Sequence, residues 1–239
     1  MEIQKGIEII GNSLYLKKHK AIVLSDLHLG FEESLNRQGV FVPRFQFKDI
    51  FDNLEKILKT TEKKGGVRTV ILNGDLKHEF GVITNQEWRE LRSLFRTLQE
   101  TGRKVAIIRG NHDVILSPIA WFENVKITGH IEFEDILIVH GDKLPKKIGK
   151  KISTIIIGHE HPAVSLQENG RVERFKCFIK GKWKGKNLII TPSFNPMIEG
   201  TDLLKERTLS PFLKQDLSNF EIWIPGEEIH YFGRLKNLR

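Results

Sequence analysis

An α/β fold, with short apolar strands alternating with amphipathic helices, is predicted by three observations. Short runs rich in Ile, Val and Leu recur along the chain, two longer stretches between them carry apolar residues at helical spacing, and five of the runs end in loops containing His, Asp or Asn.

Taken in order, Ile7–Ile10 and residues 14–16 flank a Gly11-Asn12 turn and read as a hairpin, followed by a strand over Ala21–Ser25. Across residues 45–64 the positions Phe47, Ile50, Phe51, Leu54, Ile57 and Leu58 recur at helical spacing and stop at Gly65 and Gly66, which predicts an amphipathic helix. Thr69–Asn73 is the next strand. A second helix is expected from about Asn85 to near Gly102, with Thr84 and Glu87 at capping-box spacing and Trp88, Leu91, Leu94, Phe95 and Leu98 on one face. Strands follow at residues 105–109, 136–139 and Thr154–Ile157. Residues 171–198 and 220–232 are β-like with turns, and "LSPFLKQDLS" between them suggests a short helix. No linker forces a boundary, so residues 1–239 are expected as one domain, with a basic hairpin elaboration at 163–187.

Composition narrows the class. Hydrophobic residues make up 39% and charged residues 28% of the 239, the balance of a folded chain and not of extended disorder. No apolar run approaches the ~18 residues of a membrane span, and "MEIQKGIEIIGNS" lacks the apolar core of a signal peptide, so no membrane association and a cytoplasmic location are expected. Cys177 is the sole cysteine, which excludes an intramolecular disulfide and a thiolate cluster. Any metal must be held by nitrogen and oxygen. A net charge of +8 favours polyanionic partners such as nucleic acid, and a lysine- and glutamate-rich thermophile surface gives the same balance.

The strand ends carry the chemistry. Asp26 and His28, Asp75, Asn111 and His112, His140, and His159 and His161 each follow an apolar run. Ligand sites in open α/β folds form where strand ends converge. Singly, an Asp here is a turn or cap and a His is a hydrogen-bonding group; turns alone do not require five strand ends to choose these residues. His78, three residues after Asp75, fits either a surface helix start or a place beside the site. Residues two apart on extended chain point the same way, so Asp26 and His28 can grip one metal. His159 and His161 can do likewise, or divide between two metals if Gly158 and Pro162 turn the chain. Glu160 between them is expected to face away.

The motifs "SDLHLG" (25–30), "NGDLKH" (73–78), "GNHD" (110–113), "VHGD" (139–142) and "GHEH" (158–161) resemble those of the calcineurin-like metallophosphoesterases, in the family's order. The resemblance implies a four-layer α-β-β-α sandwich, two mixed sheets flanked by helices, with a two-metal site between the sheet ends. It assigns Asp26, His28 and His161 to one metal, Asn111, His140 and His159 to the other, and Asp75 as the bridge. It makes Mn²⁺ the first choice, with Fe, Zn²⁺ or Ni²⁺ also suited to these donors. Two such ions clamp a phosphate and lower the pKa of a shared water, so a metal-bridging hydroxide would attack phosphorus. His112, oriented by Asp113, would assist as the second catalytic group.

For substrate, "GDLKHEFG" lacks the Asp-Arg-Gly continuation of the family's protein phosphatases, and no Tyr stands where purple acid phosphatases place a metal ligand. "KLPKKIGKK" (143–151) holds five lysines, and residues 171–187 hold seven basic residues interleaved with Phe175, Phe178 and Trp183. Basic charge with aromatic faces suits single-stranded nucleic acid, while a solvated lysine face over a β-hairpin has the same composition. "GDLKH" and "TPSFNPMIEG" are similar to a prokaryotic subgroup associated with DNA helicases and repair. The expected function is a two-metal phosphodiesterase acting on DNA strands or ends, with a possible helicase partner. Lys143, Trp183, His78, Ser193 and Asn195 are candidates to bind substrate. A phosphoesterase for small nucleotides and a non-catalytic scaffold on the same fold are the alternatives.

Overall fold

The computed structural model describes residues 1–168 and 170–238. Two large sheets face each other. The first runs in order β1 (Glu2–Gln4), β2 (Ile7–Ile10), β3 (Ser13–Leu16), β4 (Ala21–Ser25), β5 (Thr69–Asn73), β6 (Lys104–Ile108) and β7 (Lys126–Thr128). Its first four strands form an antiparallel meander and β4 to β7 are parallel. The second sheet uses β8 (Ile131–Phe133), β9 (Ile136–Ile138), β10 (Thr154–Ile157), β13 (Phe178–Trp183), β14 (Lys186–Ile190), β16 (Glu221–Pro225) and β17 (Ile229–Arg234), ordered β17-β16-β13-β14-β10-β9-β8. Within it β9, β10 and β14 are parallel. A small third sheet joins β11 (Pro162–Glu168), β12 (Arg171–Lys176) and β15 (Thr201–Asp202).

Alternation along each strand sorts residues into layers. On β4, Ala21 and Val23 pack toward the second sheet while Ile22 and Leu24 pack toward helices. On β10, Ile156 enters the layer between the sheets, and Ile155 and Ile157 enter the outer one. The helices α1 (Phe31–Arg37), α2 (Gln46–Glu62), α3 (Asn85–Glu100) and α4 (Ser117–Phe122) are spaced along the chain around the first sheet, with Ile50, Leu54, Leu91, Leu94, Phe95 and Ile119 buried against it. The outer face of the second sheet is covered by the short 3₁₀ turn Pro211–Leu213, by Phe220 and by the small sheet. This is the expected two-sheet sandwich, with α-helices flanking the first sheet and the small sheet and 3₁₀ structure in place of the expected helical layer on the second.

The expected helices lie within two residues of their sequence bounds, and the Thr84/Glu87 capping box is present in full. Helices α1 and α4 have no sequence forecast. Each is at most seven residues long, and the buried residues of α1 are Glu32 and Ser34, so no apolar period marks it. The segment 163–187, expected as one basic hairpin, is instead divided: β11 and β12 belong to the small sheet, and β13 is an inner strand of the second sheet. Phe178 is fully buried there, and Phe175 packs on the same core. Sheet packing withdraws the Phe178 ring from any base, and Phe175 stays partly buried. Among the described residues, no helix is long and apolar enough to cross a membrane.

Candidate metal centre

All the parallel strands deliver their C-terminal ends to one rim. The chain leaves β4 at Asp26, β5 at Asp75, β6 at Asn111, β9 at His140 and β10 at His159. Five of the seven predicted donors adopt left-handed backbone: Asp26 (φ 59°), His28 (43°), Asp75 (47°), His159 (66°) and His161 (50°). Such conformations cost non-glycine residues on the order of 1–3 kcal/mol each and persist only where the surroundings enforce them. Here the loops lock one another. The Asp26 amide donates to Gly74 O at 3.1 Å and the His28 amide to Asp75 O at 2.8 Å, while the His159 amide donates to Asp26 Oδ2 at 2.9 Å. Glycine is required at two contacts: a Cβ at Gly74 would overlap the His140 ring, and one at Gly110 would overlap Asp75 Oδ1.

Two donor sets include a carboxylate, Asp26 with His28 and His161, and Asp75 with His140 and His159, while a third group joins His28 to His78 and His112. In the first, His28 Nε2 lies 3.4 Å from His161 Nε2, and His161 Nε2 lies 3.5 Å from Asp26 Oδ1. In the second, His140 Nε2 is 3.2 Å from Asp75 Oδ2 and 3.1 Å from Asn111 Oδ1. Asp75 Oδ2 also stands 3.9 Å from His28 Nε2, so this carboxylate sits between the sets. The sequence-predicted ligands are therefore gathered, and His159 and His161 fall on different sides.

The donor chemistry fits divalent cations. Among the described residues the buried Asp26 Oδ1 has no hydrogen-bond partner, the His28 and His161 ring nitrogens converge to 3.4 Å, and all the donors are imidazole nitrogen, carboxylate or amide oxygen. His140 turns Nδ1 toward Asn73 O at 3.4 Å, which leaves Nε2 toward Asp75 and Asn111. Electrostatics follow the same division. Burial, then the neighbouring His161, hold His28 well below the usual imidazole range. Burial also favours neutral His140, yet the hydrogen bond it donates to Asp75 and the charge of Asp26 outweigh it and lift its pKa to about 9. The Asp75 carboxyl, although buried, is drawn below its usual range by His140.

Several predicted roles change. Asp113 does not orient the His112 ring: its two oxygens accept from the Leu76 and Gly110 amides, each at 3.0 Å, so it ties the second and third loops together. Burial, then the Asp75 charge, raise the Asp113 pKa to about 6. The His112 ring is held instead through Nδ1 on His78 O at 2.5 Å, and the His112 amide donates to Asp75 Oδ1 at 2.9 Å. The half-buried His78 is within reach of His28 and His112 and joins the cluster from its side.

Ser193 and Asn195 do not line an open pocket. Both are buried, with Ser193 Oγ donating to Asp26 O at 2.7 Å and Asn195 Nδ2 to His28 O at 3.4 Å, so they brace the first loop from behind. Trp183 is remote from the centre. It pairs with Lys186 near the start of β14, opposite the strand end that leads to His159, and its ring packs on Phe212 with centroids 4.9 Å apart. Lys143 is exposed, and with Lys146, Lys147, Arg109 and His130 it lines a cleft of about 570 Å³ that also includes Asn111 and His140. Glu160 faces away from the donors as expected, but it is buried: Oε2 accepts from Leu209 N at 2.9 Å and Ser210 N at 2.7 Å, anchoring the turn between the two histidines.

Three supports have no sequence forecast. Gln46, buried at the start of α2, donates to His28 O at 2.7 Å. Lys176, whose pKa burial lowers to about 8, donates to the Ser193 and Asn195 carbonyls. Glu87 exceeds its capping role by accepting from the His78 and Glu79 amides at 3.0 and 2.9 Å. Only Glu87 stands at a recognisable spacing.

Residues 19–216 match the family model described as calcineurin-like phosphoesterase, and the chain belongs to that family. Membership implies a metal-dependent phosphoester hydrolase, in keeping with the His and Asp donor sets. Among solved structures, the Pseudomonas putida nuclease MPE shares the fold at TM-score 0.67 and 16% identity, over 95% of this chain and 94% of that one. An Aquifex aeolicus protein of unknown function, AQ665, aligns at TM-score 0.38 and 19% identity over 59% of this chain and 78% of its own. A single mutant of Entamoeba histolytica Vps29 aligns at TM-score 0.34 and 15% identity over 91% and 94%. No curated protein sequence matches the chain significantly.

Proposed function

We propose that the protein is a two-metal phosphodiesterase acting on DNA, with single strands or strand ends as substrate and a DNA helicase as a working partner. The observation that carries this reading is that site and cleft are continuous: Asn111 and His140 belong to the second donor set and also line the cleft that Lys143, Lys146 and Lys147 line. A strand whose phosphate lies at the donor sets would run onto those ammonium groups, the arrangement that polyanion binding favours. The Pseudomonas putida protein of the same fold is named a nuclease, which is compatible with this reading.

Asp26, His28 and His161 would hold one divalent ion, Asn111, His140 and His159 the other, with Asp75 shared; Mn²⁺ is the ion we favour. Metal ions bound there would polarise a phosphoryl oxygen and lower the pKa of a water. The chain's own contribution centres on His112. Its Nδ1–H donates to the His78 carbonyl, so Nε2, 3.9 Å from Asp75 Oδ2, is the nitrogen left to exchange a proton with the leaving oxygen.

The test is metal-free protein reloaded with Mn²⁺, Mg²⁺, Zn²⁺ or Ni²⁺ and assayed on single- and double-stranded DNA, a simple phosphodiester and a phosphomonoester. DNA cleavage that falls steeply with salt is expected. His112→Asn should keep both metals and lose roughly 10²–10⁴-fold in turnover. Hydrolysis of small esters alone would favour a nucleotide phosphoesterase, and inertness with every metal would favour a binding scaffold.

A further inference from the structure

Phe80 is an exposed aromatic placed against the reaction centre. Its ring lies over that of His112 with centroids 3.6 Å apart, yet 55% of the residue remains accessible. The same His112 ring brings its Nε2 to 3.9 Å from the Asp75 carboxylate. The loop carrying it is firmly held. Lys77, fully buried, donates to Val82 O at 3.1 Å across the loop, and Glu87 takes the amides of His78 and Glu79 just before Phe80. A loop anchored at both ends that nevertheless leaves its phenyl ring in water keeps an apolar surface ready for something flat, because an exposed phenyl forfeits the gain of burial.

We infer that Phe80 is a stacking platform for the nucleobase next to the scissile phosphate. This rests on the DNA reading above and adds to it how the strand is gripped. Phosphates would be drawn toward Lys143, Lys146 and Lys147 on the side of Asn111 and His140, while the base beside the reacting phosphate lies on Phe80 over His112. Stacking tolerates every base, since each presents a π face, and it demands an unpaired one. The ring therefore selects single strands or frayed ends without selecting sequence.

The experiment uses the Mn²⁺-loaded full chain and oligodeoxynucleotides in which a single abasic residue is moved along the strand. For the wild type, the abasic residue should slow cleavage roughly 5- to 100-fold in kcat/KM at one fixed position relative to the cut, as expected for the loss of one stacked base. Phe80→Ala and Phe80→Leu should each lose a similar factor on intact DNA, chiefly in KM, and be indifferent to the abasic residue. Phe80→Trp should restore both the rate and the abasic sensitivity. Unfolding temperatures matching the wild type would show that the variants are folded; should Phe80→Ala not fold, Phe80→Leu carries the comparison. An abasic effect that persists in the variants, unchanged cleavage, or faster cleavage because the ring only shields His112, would each overturn this inference while leaving the DNA reading in place. A wild type active on small esters and inert on DNA would overturn both.

Discussion

The side chains around the centre divide into those that face it and those that hold it still. His159 and His161 show how a two-residue spacing serves two donor sets: both take left-handed backbone, and Glu160 between them is pulled back onto the Leu209 and Ser210 amides. The Asp113 carboxylate bonds backbone only, and Ser193 and Asn195 do the same from the end of β14. Away from the site, Glu90 is the carboxyl whose environment has a measurable pH signature. Burial, with the charge of Glu32 adding to it, raises its pKa from 4.5 to about 7. The folded protein therefore keeps a proton that the unfolded chain has released between those values, so the Glu90 contribution to stability falls as pH rises through that window and stays low above it. Discounted for partial exposure, the change is on the order of 1 kcal/mol. Denaturant unfolding at pH 5 and pH 8 should show Glu90→Gln gaining on the wild type at the higher pH; equal differences at both would refute the assignment.

At the scale of elements, helix α3 does two jobs through one cap. Thr84 Oγ1 accepts from the Glu87 amide at 3.1 Å, and Glu87 returns the bond to the Thr84 amide at 2.7 Å. The same glutamate holds the loop that carries His78 and Phe80. Thr84→Ala should therefore cost about 1 kcal/mol, the usual worth of an N-cap, with hydrolysis retained. Glu87→Ala strands the buried Thr84 amide and removes an acceptor from the part-buried His78 and Glu79 amides, of which His78 keeps its bond to Leu29 O at 2.9 Å; it should cost on the order of 1–3 kcal/mol and lower turnover as well. Urea unfolding alongside a phosphodiester assay separates the two effects. The capping box is legible as Thr84 followed by Glu87; the second use of Glu87 is not, because it depends on a loop that returns to the helix only in the fold.

Across the whole molecule, the donor residues come from both large sheets, with Asp26, His28, Asp75 and Asn111 from the first and His140, His159 and His161 from the second. Bound ions would tie the sheets together beyond what the apolar layer of Ile71, Ile108, Ile138, Ile156 and Ile189 supplies. Calorimetry should then show Mn²⁺ raising the unfolding temperature of metal-free protein, by about 2.7 kcal/mol of stability when free ion reaches a hundredfold over Kd. In metal analysis, His159→Ala and His161→Ala should each retain one equivalent in place of two. Retention of both, or loss of both, in either variant would contradict the division of the donor sets.

While β1, β7 and β8 are too short to be marked by any apolar period, the sequence by itself determined seven of the strands, the two long helices and which His, Asp and Asn side chains stand at strand ends. Each of these is written in local patterns: period-two or continuous apolar runs, 3.6-residue spacing, and His, Asp and Asn placed at strand ends. The tertiary structure decided what those residues face. It buried Phe178, drew Trp183 to the far end of its sheet, turned Ser193, Asn195 and Asp113 onto backbone, and left Phe80 in solvent over His112. The physical reason is that burial, and the partner of a polar side chain, depend on strand register and on which loops meet at the rim. Those contacts join residues more than a hundred positions apart, such as Asp26 with His159 and Ser193 with Asp26. No local period records them.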